Sequence, residues 1–166
     1  TTALVDYIFK TKALDHEKVK QLLLDQINSI PNNPVVENQQ NIFHTDWNLP
    51  RAMHREYFKL FSKTVSNHLT EMVKALQVDK CEISSFWFQR YKQNGSHPWH
   101  THTCCHYANV YFLECPKGYS TKFKHFDKEC EEGDIISFPA FLPHMSPPIE
   151  SNSMKTIISF NTDFIT

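Results

Sequence analysis

Apolar positions repeat with one period up to about residue 80 and with another beyond it. In the first part Val19, Leu22, Leu23, Ile27 and Ile30 recur at helical spacing until Pro31 closes the pattern. Asp15 stands ahead of them as an N-cap, with acidic Glu17 in the first turn. Met53, Tyr57, Leu60, Phe61, Val65, Leu69, Met72, Val73 and Leu76 trace the face of a second, longer helix beginning near Pro50. The polar, turn-rich PNNPVVENQQN between them, residues 31–41, reads as a loop. From Cys81 onward CEISSFWFQRY, HYANVYFLEC, YSTKFKHF, GDIISFP and MKTIISFNTDF are short, β-branched or aromatic segments. Turn signals such as Pro116-Lys117-Gly118 and Glu132-Gly133-Asp134 separate them. Two helices followed by a run of strands predict an α+β, mainly β domain, its helices supporting an antiparallel sheet or barrel. At 166 residues a single domain over 1–166 is expected, with helical support over about 1–80 and the β core over about 81–166.

Charge narrows the chemistry. Lys and Arg total 17 against 18 Asp and Glu, a net charge of -1, so no basic field is available to grip a nucleic-acid backbone. No apolar run approaches the roughly 18 residues that would cross a bilayer. The opening TTALVDYIFK lacks a basic segment and a long apolar core, so a cytoplasmic chain with reduced thiols is expected. The five cysteines, an odd number with Cys104 and Cys105 adjacent, fit that expectation better than a disulfide framework.

The stretch NGSHPWHTHTCCHYANVYFLECP, Asn94 to Pro116, gathers four of the ten histidines (His97, His100, His102, His106) and three of the five cysteines. His100 and His102 form H-x-H at a strand edge, where positions i and i+2 share a face and both imidazoles can meet one ion. Neutral imidazole suits iron, zinc, copper or nickel. H-x-H alone is a weak signal. His144 strengthens it, lying about 40 residues on and just after a strand ending in Phe138-Pro139, and Lys155 follows 11 residues later on a further strand. His16, His44, His54 and His68 are expected to be ordinary surface or hydrogen-bonded histidines, the last two within the long helix. A structural zinc site could draw on Cys104 and Cys105, but such sites favour paired C-x(2–4)-C ligands and no second pair appears. A nucleophilic Cys105 has no local signature. Both thiols are therefore expected to be reduced and not to bind metal.

In this order and spacing the motifs resemble the Fe(II)- and 2-oxoglutarate-dependent oxygenases, in particular the prolyl-hydroxylase-like group and its small phage-type members. The segments that carry the resemblance run from Cys81 to Asp163. They are Trp87 with Gly95, His100-Thr101-His102, the strand Ala108 to Leu113, Gly133 to Pro139 with His144, and Lys155-Thr156-Ile157-Ile158-Ser159-Phe160-Asn161. His44 to Trp47 (HTDW) also resembles the lead-in of the phage-type proteins. The resemblance implies a double-stranded β-helix, the jelly-roll or cupin-like fold, supported by the two N-terminal helices. It implies Fe(II) bound by His100, His102 and His144, although most of the superfamily has Asp where His102 stands. A carboxylate such as Asp127 is the alternative third ligand. It further implies 2-oxoglutarate as co-substrate, O2 as oxidant and ascorbate as an accessory reductant. Lys155 would pair with the distal carboxylate, Tyr91 would line that pocket, and Ser159 and Asn161 would share the inward face of the strand. The implied reaction is hydroxylation of a C–H bond with release of succinate and CO2, on a prolyl residue of a peptide or protein. A phage-encoded copy would work in the host cytoplasm.

Two other classes remain open at this point. One is a cupin-like three-histidine oxygenase that uses no 2-oxoglutarate, against which Lys155 argues. The other is a non-catalytic jelly-roll module with a structural metal. Convergence of His100, His102, His144 and Lys155 on one cavity would separate both from the first reading. The outer loops expected to choose the substrate, Pro31 to Trp47 and Lys117 to Glu132, carry no readable code.

Overall fold

A computed structural model describes residues 7–32, 42–150 and 152–166. The chain runs β1 (Phe9–Lys12), α1 (His16–Asn28), β2 (Ile42–Thr45), α2 (Tyr57–Leu76), β3 (Lys80–Tyr91), β4 (His97–His100), β5 (Tyr107–Glu114), β6 (Lys122–Phe123), β7 (Asp134–Pro139), β8 (His144–Ser146) and β9 (Lys155–Ile165). Beyond Asn32, the loop expected over residues 31–41 lies outside the described residues. Among the described residues no helix is long and apolar enough to cross a membrane.

The strands form two antiparallel sheets. A six-stranded sheet has the order β1-β7-β5-β9-β3-β2, and a three-stranded sheet has the order β4-β8-β6. Side chains alternate across the large sheet. Phe88, Tyr111, Leu113, Ile135, Ile158 and Phe160 join Leu23, Ile27, Tyr57, Phe61 and Val65 in a core beneath the helices. Tyr91, Val110, Phe112, Ile136, Phe138 and Ile157 point the other way and pack with Phe123 of the small sheet. Two apposed antiparallel sheets with helices on the outer face make this a double-stranded β-helix, α+β and mainly β.

The sequence pattern located most elements but misjudged four. α2 starts at Tyr57 rather than near Pro50, and Met53 is an exposed turn residue. The intervening turn has its own partners: Met53 N–H donates to Pro50 O at 2.9 Å and the Arg55 guanidinium to Met53 O at 2.8 Å. His54, expected within the helix, lies in this turn. YSTKFKHF yields only the two-residue β6. The first 80 residues also contribute two strands, β1 and β2, which form the two edges of the large sheet. Each has only four residues, too few for an alternation signal.

Gly133 opens β7 at φ 84°, where a Cβ would stand 3.0 Å from the buried His16 ring, so both backbone and space require glycine. Asp46, in the HTDW segment, joins three elements. Its Oδ2 accepts from Arg55 Nε at 2.8 Å and from Tyr57 Oη at 2.9 Å, while Oδ1 accepts from Phe88 N–H at 2.9 Å. Both members of the ion pair are nearly buried, so removing one leaves an uncompensated charge. Asp46→Ala is expected to lower the unfolding free energy by about 3–5 kcal/mol. Urea titration checks this, and a loss below about 1 kcal/mol would mean that water replaces the carboxylate at little cost.

Candidate metal centre

Two short strands and one turn bring the histidines together. β4 and β8 pair antiparallel with His100 opposite His144 and His97 opposite Ser146. His102 follows two residues beyond His100, and its N–H donates to Ala140 O at 2.8 Å, which ties the H-x-H segment to the loop before β8. One ligand nitrogen from each of His100, His102 and His144 falls within 4.8 Å of the other two. Among the described residues this is the one such group of three. Asp127 is exposed and does not join it.

Hydrogen bonds fix which nitrogen each ring offers. His100 Nδ1 bonds to Pro98 O at 2.8 Å, His144 Nδ1 to Leu142 O at 2.9 Å and His102 Nδ1 to Asn161 Oδ1 at 2.7 Å. A carbonyl oxygen can only accept, so all three protons sit on Nδ1 and each Nε2 keeps its lone pair. Burial and the neighbouring imidazoles hold the protonation of His144 down to about 3, and burial lowers His100 and His102 as well. Three neutral Nε2 donors with their second nitrogens anchored could hold a divalent metal, and the donor set fits Fe(II).

One pleat repeat away, about 6.6 Å along β8, is a cation. Lys155 is fully buried, and its Nζ donates to Ser146 Oγ at 2.7 Å. The ammonium also lies 5.3 Å from the Tyr91 ring centroid and 6.0 Å from that of Phe112. Among the described residues no carboxylate pairs with it, and burial lowers its pKa to about 8. The Tyr91 hydroxyl is buried beside it, near Ser146 but without a hydrogen bond of ordinary geometry. Burial raises the phenol's pKa, which leaves it a neutral donor. A buried ammonium and an unpaired O–H at one spot fit a carboxylate that brings its own charge.

Of the other expected lining residues, Ser159 Oγ faces Gln89 Oε1 at 3.4 Å, and Asn161 turns to His102. Four neighbours had no site role in the sequence expectations. His97 lies 4.1 Å, ring to ring, from His100 and is lowered to about 4 by burial and by the histidines and Lys155 around it. Gln89 and Ser146 are buried polar groups, and Trp87 stacks on His102 at 6.0 Å. Trp87 and Gln89 share alternation with Tyr91 on β3, a signal the sequence did contain; Ser146 needed the β4–β8 register. Cys104 is exposed and Cys105 is half-buried with its thiol raised to about 11; neither joins the histidine group. His16, His44 and His68 are buried and bonded to Tyr111, to Ile30 O, and to Thr11 and Ser137 respectively.

No family model matches the chain, and no curated protein matches it in sequence. Solved structures do match it in shape. A viral collagen prolyl hydroxylase from Paramecium bursaria Chlorella virus-1, determined as a 2OG complex, superposes with a TM-score of 0.68 at 15% identity, covering 96% of this chain and 97% of that one. A Pseudomonas putida prolyl-4-hydroxylase gives 0.66 at 14% identity, over 94% of this chain and 92% of its own. A Trichoplax adhaerens prolyl hydroxylase, in complex with a peptide of the hypoxia inducible factor, gives 0.63 at 13% identity, over 95% and 83%. At these identities the likeness is one of fold.

Proposed function

We propose that the chain is an Fe(II)- and 2-oxoglutarate-dependent dioxygenase, acting as one domain over residues 1–166, that hydroxylates a C–H bond. The observation that carries this reading is a buried cation next to a three-histidine group. His144 of the histidine group and Ser146 lie two residues apart on β8, and Ser146 Oγ accepts from the buried, carboxylate-free Lys155, near the unpaired Tyr91 hydroxyl. A module that merely holds a structural metal has no use for a buried cation, and a three-histidine oxygenase without a keto acid leaves Lys155 unexplained. The likeness to prolyl hydroxylases, one of them peptide-bound, supports a prolyl residue of a peptide or protein as the target.

In this reading His100, His102 and His144 would hold the iron. Lys155 and Tyr91 bind the distal carboxylate of 2-oxoglutarate and so orient the keto-acid end toward the metal layer. The apolar walls, Val110, Phe112, Phe138 and Ile157, exclude water around that chain. Iron bound there supplies O2 activation coupled to decarboxylation of 2-oxoglutarate to succinate and CO2. Three neutral ligands leave the ion's full charge in place, which favours an anionic co-substrate. Ascorbate serves as the accessory reductant.

The test is an anaerobic titration of the Fe(II) protein with 2-oxoglutarate, followed by succinate release on a panel of proline-containing peptides in air. A metal-to-ligand charge-transfer band and peptide-stimulated succinate are expected. A protein that binds iron but gives no band would instead be a three-histidine oxygenase that uses no keto acid.

A further inference from the structure

One contact at the metal layer differs in kind from its neighbours. His100 and His144 each give Nδ1–H to the main-chain carbonyl two residues earlier, a local bond that persists wherever the strand persists. His102 lies past the end of β4 with no strand partner, and its Nδ1–H goes to a side chain 59 residues away, Asn161 Oδ1 at 2.7 Å. Asn161 is held in place by β9, which pairs it with Ser85 on one side and Ala108 on the other. The Trp87 ring lies over the His102 ring at 26° and 6.0 Å, which limits tilt but not rotation in the ring's own plane or the choice of tautomer. The amide oxygen of Asn161 settles both.

We propose that Asn161 is the positioning residue that makes His102 a metal ligand. Its Oδ1 keeps the proton on Nδ1 and turns the Nε2 lone pair toward His100 and His144. The inference rests on the metal reading above. A carboxylate ligand is always charged and has two equivalent oxygens, whereas an imidazole offers a lone pair from only one nitrogen at a time. A histidine ligand that sits in a turn, outside the strand ladder, therefore needs an acceptor behind its ring. The chain supplies one from the strand that also carries Lys155, so a single rigid strand sets both the third ligand and the cation.

Two near-isosteric variants separate this role from simple packing. Asn161→Leu keeps the bulk and loses the acceptor; Co(II) and Fe(II) affinity, measured by chelator competition, should fall about 10–100-fold. X-ray absorption of the Co(II) protein should show imidazole ligands dropping from three to two. Asn161→Asp keeps the acceptor and adds charge, so three imidazoles and an affinity at or above wild type are expected. A wild-type protein that binds neither ion would defeat the metal reading itself. Wild type with three imidazoles and an Asn161→Leu variant with the same three and equal affinity would overturn the assignment to Asn161 alone. If Asn161→Leu does not fold, Asn161→Asp decides: three imidazoles support the assignment, and loss of one overturns it.

Discussion

Replacing His144 by Ala should abolish stoichiometric Fe(II) binding at neutral pH. His144 is the buried member of the triad, its ring 4.2 Å from that of His100 and 5.1 Å from that of His102, so its removal takes the central donor. The loss should exceed the roughly 10–100-fold that removal of a supporting contact causes. The fold should survive, because the side chain lies on a three-residue strand of the small sheet and outside the core beneath the helices. Iron content after anaerobic loading and a chelator competition provide the measurement. Changing Cys104 and Cys105 together to Ser is the control, with iron content unchanged. Unaltered affinity in His144→Ala, or sulfur ligation in the absorption spectrum of the wild type, would remove the three-histidine assignment.

Lys155→Ala should weaken 2-oxoglutarate binding by about one to two orders of magnitude, since a hydrogen bond to a charged group contributes roughly 1.5–3 kcal/mol. Iron affinity should hardly change, because Lys155 sits one pleat away from the ligands. The chain offers no substitute cation nearby in sequence: Lys155 is the only Lys or Arg after Lys128. The pH dependence gives a second signature. Burial holds the free ammonium near pKa 8, so below that the site is already charged. Above it, binding a carboxylate must also take up a proton, and affinity should drop by about tenfold per pH unit. Lys155→Arg carries a guanidinium that keeps its charge, so its affinity should stay flat across the same range. An anaerobic charge-transfer titration of the three proteins between pH 7 and pH 9.5 reads all of this. Wild-type affinity in Lys155→Ala would move the carboxylate anchor elsewhere.

The parts of the site that obey strand alternation were legible in the sequence. Lys155, Ile157, Ser159 and Asn161 were expected on one face. Lys155 does lie by Tyr91 and Phe112, and Ile157 does pack in the inner cluster, while Ile158 and Phe160 face the helices. H-x-H with a distant histidine was legible as a motif, although His102 lies beyond the end of β4 and joins the group through a turn and not through strand alternation. What depended on register was not. Ser146 meets Lys155 because β8 returns antiparallel to β4, and Asn161 meets His102 across 59 residues. The start of α2 was misplaced because Met53 fits the helical period. The Asp46–Arg55–Tyr57 contacts that hold the preceding turn are tertiary.

The sheet that carries the histidines is slight. β4, β8 and β6 have four, three and two residues, and four paired positions join them, with His144 in the middle strand opposite both His100 and Phe123. Such a patch opens locally at little cost, and its main-chain amides exchange with solvent when it does. An ion shared by His100, His102 and His144 fastens the flanking turn and the outer strand to the middle one. At a hundred times its dissociation constant it deepens that closed state by about 2.7 kcal/mol, a hundredfold slowing of deuterium uptake in residues 97–102 and 144–146. Iron occupancy thus becomes legible in eight backbone amides, Pro98 having none, with no turnover and no substrate in hand.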